Sequence, residues 1–255
     1  MQNVNETVRK MVSAMVSAAE GRMHSVWLYG SLLLDDFRPG WSDIDFIAYT
    51  NGALSEPQAG RLLTLRQELC AAFPDDPLLA CFEGAFLPFG KDVSGRIVYW
   101  GTGGQRIVTD YAPDPFARWQ LARRGLCLYG SGDRSIFACP DRTEMASAIR
   151  RHYESIRKYA GQTGESLYSC GWLLDIARCV YTLRFSDVIS KTAAGEWALA
   201  EGIFPDAGAL ERTLLIRREP MKYKQDRDTR VWLGSLGPTV QRYADVLEKE
   251  LDSAE

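Results

Sequence analysis

The residues best suited to chemistry in this sequence are a Gly-Ser pair and three acids. Gly30-Ser31 is followed, after eleven intervening residues, by Asp43-Ile44-Asp45, and Glu83 stands further along. A glycine at the end of a strand lets the backbone approach a ligand closely, and the Ser31 hydroxyl with nearby N–H groups can hold phosphate oxygens. Asp43 and Asp45 are two apart on an expected strand, so their carboxylates project from one face. Adjacent carboxylates repel and stay ionised most easily with hard cations between them. Phosphate transfer from a nucleoside triphosphate uses two such ions, about 3.5–4 Å apart, to hold the attacking and leaving oxygens in line. Glu83 is then placed to act as a third ligand or as base for an attacking hydroxyl.

Such a constellation needs strands to present it. Residues 25–29 form a β-rich run ending at Gly30-Ser31, and 35–42 is a polar turn containing Pro and Gly. Residues 43–49 alternate and then run apolar, as a buried strand does. Residues 57–73 carry helical periodicity, 79–87 read as a third strand, and 96–100 and 106–109 as further short strands, with Gly101-Thr102-Gly103-Gly104 as a hairpin turn. From Phe116 the pattern is helical, broken at 128–132; 133–140 reads as a linker. Amphipathic helices fill the rest, among them a central one over 168–184 and one capped by Ser190. The expectation is an α+β chain: a mixed sheet flanked by helices over 1–140, then a helical bundle over 141–255.

Composition narrows the field. The 255 residues are 46% hydrophobic and 25% charged, as in an ordinary globular protein large enough for two cores. A net charge of -3 provides no basic field for nucleic acid. Six scattered cysteines without a C-x-x-C pair read as buried reduced thiols, not a zinc site. The N-terminus has apolar residues at helical spacing but no continuous apolar run. It reads as an amphipathic helix, not a signal peptide or membrane span, and a cytoplasmic monomer is expected. His24 and His152 are isolated, so no Ser/His/Asp arrangement can be built. Trp172, Trp197 and Trp232 read as core, and Arg150-Arg151 and Arg217-Arg218 as solvated helix faces.

Leu28-Tyr29-Gly30-Ser31 with Ser42-Asp43-Ile44-Asp45-Phe46 resembles the signature of the DNA polymerase β-type nucleotidyltransferase superfamily. Three further segments are similar to successive stretches of the aminoglycoside (3'')/(9) adenylyltransferases, which adenylylate streptomycin and spectinomycin. These are Phe82-Glu83-Gly84-Ala85-Phe86-Leu87-Pro88, Gly125-Leu126-Cys127-Leu128-Tyr129-Gly130 and Val188-Ile189-Ser190-Lys191-Thr192-Ala193-Ala194-Gly195-Glu196-Trp197-Ala198. The resemblance runs from about residue 24 to 220.

The resemblance implies roles. Asp43 and Asp45 would bind two Mg²⁺, Ser31 and Ser42 would touch the triphosphate of ATP, and Glu83 would be the base. Lys191 and Arg178 would hold nucleotide phosphates, as a point charge and a guanidinium fork suit, and Tyr223 would match a nucleotide-contacting tyrosine. ATP is then expected between the domains, with a small, polar, cationic acceptor. Trp100, Tyr168, Trp172 and Asp175 are the expected acceptor contacts. Streptomycin-modifying relatives carry acids at the start of the central helix where this chain has Gly164 and Tyr168, with Glu165 out of register. Spectinomycin-only relatives lack them, so spectinomycin is the expected acceptor. A transferase for another acceptor and a nucleotide-binding relative without turnover stay open as alternatives.

Overall fold

The computed structural model describes residues 2–90 and 96–254. The chain divides into two compact units: 1–33, 43–113 and 120–138 form the first, and 34–42, 114–119 and 139–255 the second. A single cut near 140 was expected. Instead two short segments from the first half belong to the helical unit.

The first unit contains α1 (Gln2–Ala18), β1 (Met23–Leu28), β2 (Ile44–Thr50), α2 (Glu56–Ala72), β3 (Phe82–Pro88), β4 (Ile97–Gly101) and β5 (Gly104–Val108). The end of α3 (Pro115–Arg124) and β6 (Leu126–Tyr129) complete it. The sheet order is β5-β4-β3-β2-β1-β6; β2 and β3 are parallel and the other pairings antiparallel. Gly101 faces Gly104 across the expected hairpin. One sheet face buries Phe46, Phe82, Phe86 and Trp100, whose rings meet edge-on or tilted. The other face buries Trp27, Ile47, Ala85 and Leu87 with Leu121 and Phe137. Gly84 is required by the β2–β3 approach, since a Cβ there would lie 2.0 Å from the Phe46 carbonyl oxygen. Helix α2 opens with a capping box in which Ser55 and Gln58 bond each other's backbone amides.

Two local expectations are corrected. Residues 79–81 lie in a 3-10 turn begun at Pro77, so β3 starts at Phe82. Residues 126–129 form the edge strand β6, paired with β1, not a break between helices.

The second unit is helical: α4 (Arg142–Tyr159), α5 (Tyr168–Phe185), α6 (Lys191–Ala200), α7 (Ala207–Arg218), α8 (Pro220–Tyr223), α9 (Arg227–Gly234) and α10 (Gly237–Ala254). Helix α5 is central and buries eleven of its residues, including Leu173, Leu174, Ile176 and Val180. Asp141 caps α4 through a capping box with Glu144, and Ser190 caps α6 by accepting from the Ala193 amide at 3.1 Å. Trp41, from segment 34–42, packs on this core. Among the described residues no helix is long and apolar enough to cross a membrane. All six cysteines are free, but only Cys170 and Cys179 are buried, contrary to the expectation for the set.

Candidate active site

The acids come together through strand register. In the parallel β2–β3 pair, Asp45 lies directly beside Glu83, each the second residue of its strand. Asp43 and Asp45 are half-buried and alternate with the fully buried Ile44 and Phe46. The three carboxylates thus gather at one end of the sheet. Gly30 turns against them with φ +78°, and a Cβ on it would lie 1.8 Å from Asp45 Oδ2. The position demands glycine both for its backbone and for this close approach. The Tyr29 amide donates to the Asp45 carbonyl at 3.1 Å, and the Gly30 amide to Gln120 Oε1 at 3.1 Å, so the turn is held on both sides.

Two residues overlooked in the sequence support the acids. Tyr99 lies opposite Ala85 on β4 and its hydroxyl donates to Glu83 Oε1 at 2.9 Å. Burial and this bond to a carboxylate push the Tyr99 hydroxyl up to about 12, so it remains a donor. Arg66, on α2, is buried and donates to the Phe82 carbonyl at 2.6 Å and the Gly101 carbonyl at 2.9 Å. Burial lowers its pKa, while Glu83 and Asp43 pull the other way. A fixed cation therefore lies close enough to soften the repulsion among the acids. An alternating strand pattern shows Tyr99 on the Glu83 face; nothing local marks Arg66.

The serines are placed differently. Ser31 Oγ donates to the Asp43 carbonyl at 3.4 Å. Ser42 is buried and its Oγ accepts from the Arg38 amide at 3.0 Å, so its hydroxyl serves the 38–42 turn. Trp100, expected to touch the acceptor, is wholly buried and its indole N–H donates to the Leu62 carbonyl at 2.9 Å. Its ring packs on Phe46 and Phe86, which leaves it no face for a ligand.

In the helical unit, Asp175, Arg178 and Lys191 form one cluster. Lys191 Nζ is 2.9 Å from Asp175 Oδ1, and Arg178 Nη2 is 3.2 Å from the same oxygen. Burial raises the Asp175 pKa, but the two cations outweigh it and hold the carboxyl at about 2. The Arg178 guanidinium lies over the Phe116 ring at 5.2 Å, and its Nε is buried without a hydrogen-bond partner. His152 stacks obliquely on Trp172, 5.7 Å between centroids; burial holds its imidazole below the usual histidine range, against the pull of Asp175. His152 is thus part of this cluster and not isolated. Tyr168 begins α5 and is exposed. Glu165 is paired with Arg230 at 2.6 Å. Tyr223 ends α8, partly buried on the helical core.

Among the described residues no group of three His, Cys, Asp or Glu side chains forms a ready-made metal cage. Mg²⁺ rarely asks for one: it takes one or two carboxylates and completes its octahedron with phosphate oxygens and water. The oxygen-only set of Asp43 and Asp45 fits that habit.

Residues 135–217 match the family of the aminoglycoside adenylyltransferase C-terminal domain. Among solved structures, the chain is similar to the spectinomycin adenyltransferase AAD(9) from Enterococcus faecialis, determined with ATP and spectinomycin. The TM-score is 0.67 at 15% sequence identity, over 96% of this chain and 99% of that one, a likeness of fold. A comparison with curated protein sequences gives no match.

Proposed function

We propose that the chain is an adenylyltransferase that moves AMP from ATP to a hydroxyl of an aminocyclitol or aminoglycoside antibiotic and releases pyrophosphate, a reading supported by the family match over residues 135–217 and by the likeness of fold. The observation that carries this reading is the register that sets Glu83 beside Asp45, with Asp43 two residues away and Gly30 closed against the Asp45 carboxylate. Asp43 and Asp45 would hold Mg²⁺, which when bound neutralises phosphate charge and aligns the phosphate oxygens. Glu83 takes the proton of the acceptor hydroxyl as that oxygen attacks the α-phosphorus and pyrophosphate leaves. Tyr99 fixes which Glu83 oxygen faces the acceptor, by donating to the other. Lys191 and Arg178 would bind nucleotide phosphates while keeping their ion pairs with Asp175, which orients both cations. Positioning and charge neutralisation supply most of the rate.

The favoured acceptor is spectinomycin. Streptomycin carries two guanidinium groups, and burying them unpaired is costly, so its site needs carboxylates. Asp175 already accepts from Lys191 and Arg178, and Glu165 from Arg230. Comparing kcat/KM for the two drugs with one enzyme preparation tests this: spectinomycin should give the higher value. A higher value for streptomycin refutes the preference, and turnover with neither points to a different acceptor.

A further inference from the structure

Arg217 reads in the sequence as half of a solvated Arg-Arg pair, yet it is 2% exposed, while Arg218 lies on the surface. Its partner is Asp36, also 2% exposed, in the polar segment 34–42. Arg217 Nη2 donates to Asp36 Oδ2 at 2.7 Å and Nε to the same oxygen at 3.2 Å. Thr192 completes the network: its hydroxyl donates to Asp36 Oδ1 and accepts from Arg217 Nε at 3.1 Å, and its amide donates to Asp36 Oδ2 at 3.2 Å. Arg38 Nε adds a further donor to Asp36 Oδ1 at 3.3 Å. Burial pushes the Asp36 carboxyl up, but Arg217 and the Thr192 bonds outweigh it and keep the group ionised.

This network sits on the first turn of α6. Ser190 Oγ takes the Ala193 amide and Asp36 takes the Thr192 amide. Lys191 lies between those two caps, with its ammonium on Asp175. A buried anion at a helix start is favoured by the unpaired amides there, and here the anion is a side chain of the protein itself. The Thr192 and Ala193 amides of this turn are therefore taken by the protein's own side chains, and the Lys191 ammonium is the cation that the turn presents.

We propose that Asp36, Thr192 and Arg217 are positioning residues that hold the first turn of α6 so that Lys191 meets the nucleotide phosphates in a fixed orientation. The inference rests on the nucleotidyltransferase reading and deepens it. Segment 34–42, which separates the Gly30-Ser31 turn from Asp43 in the sequence, thereby acts as a strut of the helical unit.

The test is a double-mutant cycle on Mg·ATP affinity, measured by calorimetry on the full chain. Thr192→Val removes the hydroxyl but keeps the volume and the amide, so it folds more safely than a change at Asp36 or Arg217. It should weaken Mg·ATP binding about tenfold, a change of about 1.4 kcal/mol, and Thr192→Ser should restore it. In the Lys191→Ala background Thr192→Val should have no further effect, because the network acts through Lys191. A network that serves folding alone would lower the unfolding temperature and leave the affinity of folded protein unchanged; that result, or additive losses in the double variant, overturns the proposal. If the wild-type protein binds no Mg·ATP, the nucleotidyltransferase reading falls and this inference with it; if it binds and only the cycle fails, the function stands without the strut.

Discussion

At the residue scale the account turns on the contact between Gly30 and Asp45. Gly30→Ala forces an L-residue into φ +78° and drives its Cβ into the Asp45 carboxylate. The backbone cost is roughly 1–2 kcal/mol, and the displaced carboxylate should remove most turnover. Thermal unfolding with pyrophosphate release separates the two effects; near-wild-type turnover would show that Asp45 is not held by this turn. Glu83→Gln keeps the shape and a partner for the Tyr99 hydroxyl but removes the base. It should retain Mg·ATP binding and lose about 10²–10⁴-fold in turnover. Loss of binding as well would make Glu83 chiefly a metal ligand. The grouping of the acids was legible in the sequence because a D-x-D pair at the start of an apolar strand sets both carboxylates on one face. Trp100 and Ser42 were not: whether a side chain faces a ligand or the core depends on which neighbours close over it. Phe46, Phe86 and the Leu62 carbonyl close over Trp100, and Arg38 takes Ser42.

At the element scale, α5 and α6 carry an ion cluster whose pH dependence can be worked out. Asp175 titrates at about 2 in the folded state, below its ordinary 3.8. A depressed carboxyl contributes stability that is present above the unfolded pKa and lost as pH falls through the folded one. The Asp175 contribution, about 2 kcal/mol from the size of the shift, should be full at pH 7 and fade between about pH 4 and pH 2. Urea unfolding of wild type and Asp175→Asn should show the wild type more stable at neutral pH and the gap closing toward pH 2. A gap independent of pH would mean that the asparagine perturbs packing, not charge. Helices were the more legible elements, because period and cap are local: Ser190 announces the start of α6, while the Ser55 and Asp141 caps emerge only in the structure. Strand β6 was missed because four residues at a sheet edge carry little periodicity, and its partner β1 lies about a hundred residues earlier.

At the scale of the whole molecule, the division into a sheet-based and a helical unit follows from the change of period along the chain, yet segments 34–42 and 114–119 cross it. No sequence window contains the reason. Asp36 and Arg217 are 181 residues apart, and an ion pair at that separation leaves no local pattern. The family match covers residues 135–217 of the helical half, whereas Asp43, Asp45 and Glu83 all lie outside it. Their chemistry therefore stands on sheet register and must be tested there. The most direct measurement is pyrophosphate released from ATP with Mg²⁺ and spectinomycin, by wild type and Asp45→Ala side by side, with thermal unfolding to show that both are folded. Spectinomycin-dependent release by the wild type and none by folded Asp45→Ala is the predicted result; equal release by the two proteins, or none by the wild type across a panel of aminocyclitols and aminoglycosides, would contradict it.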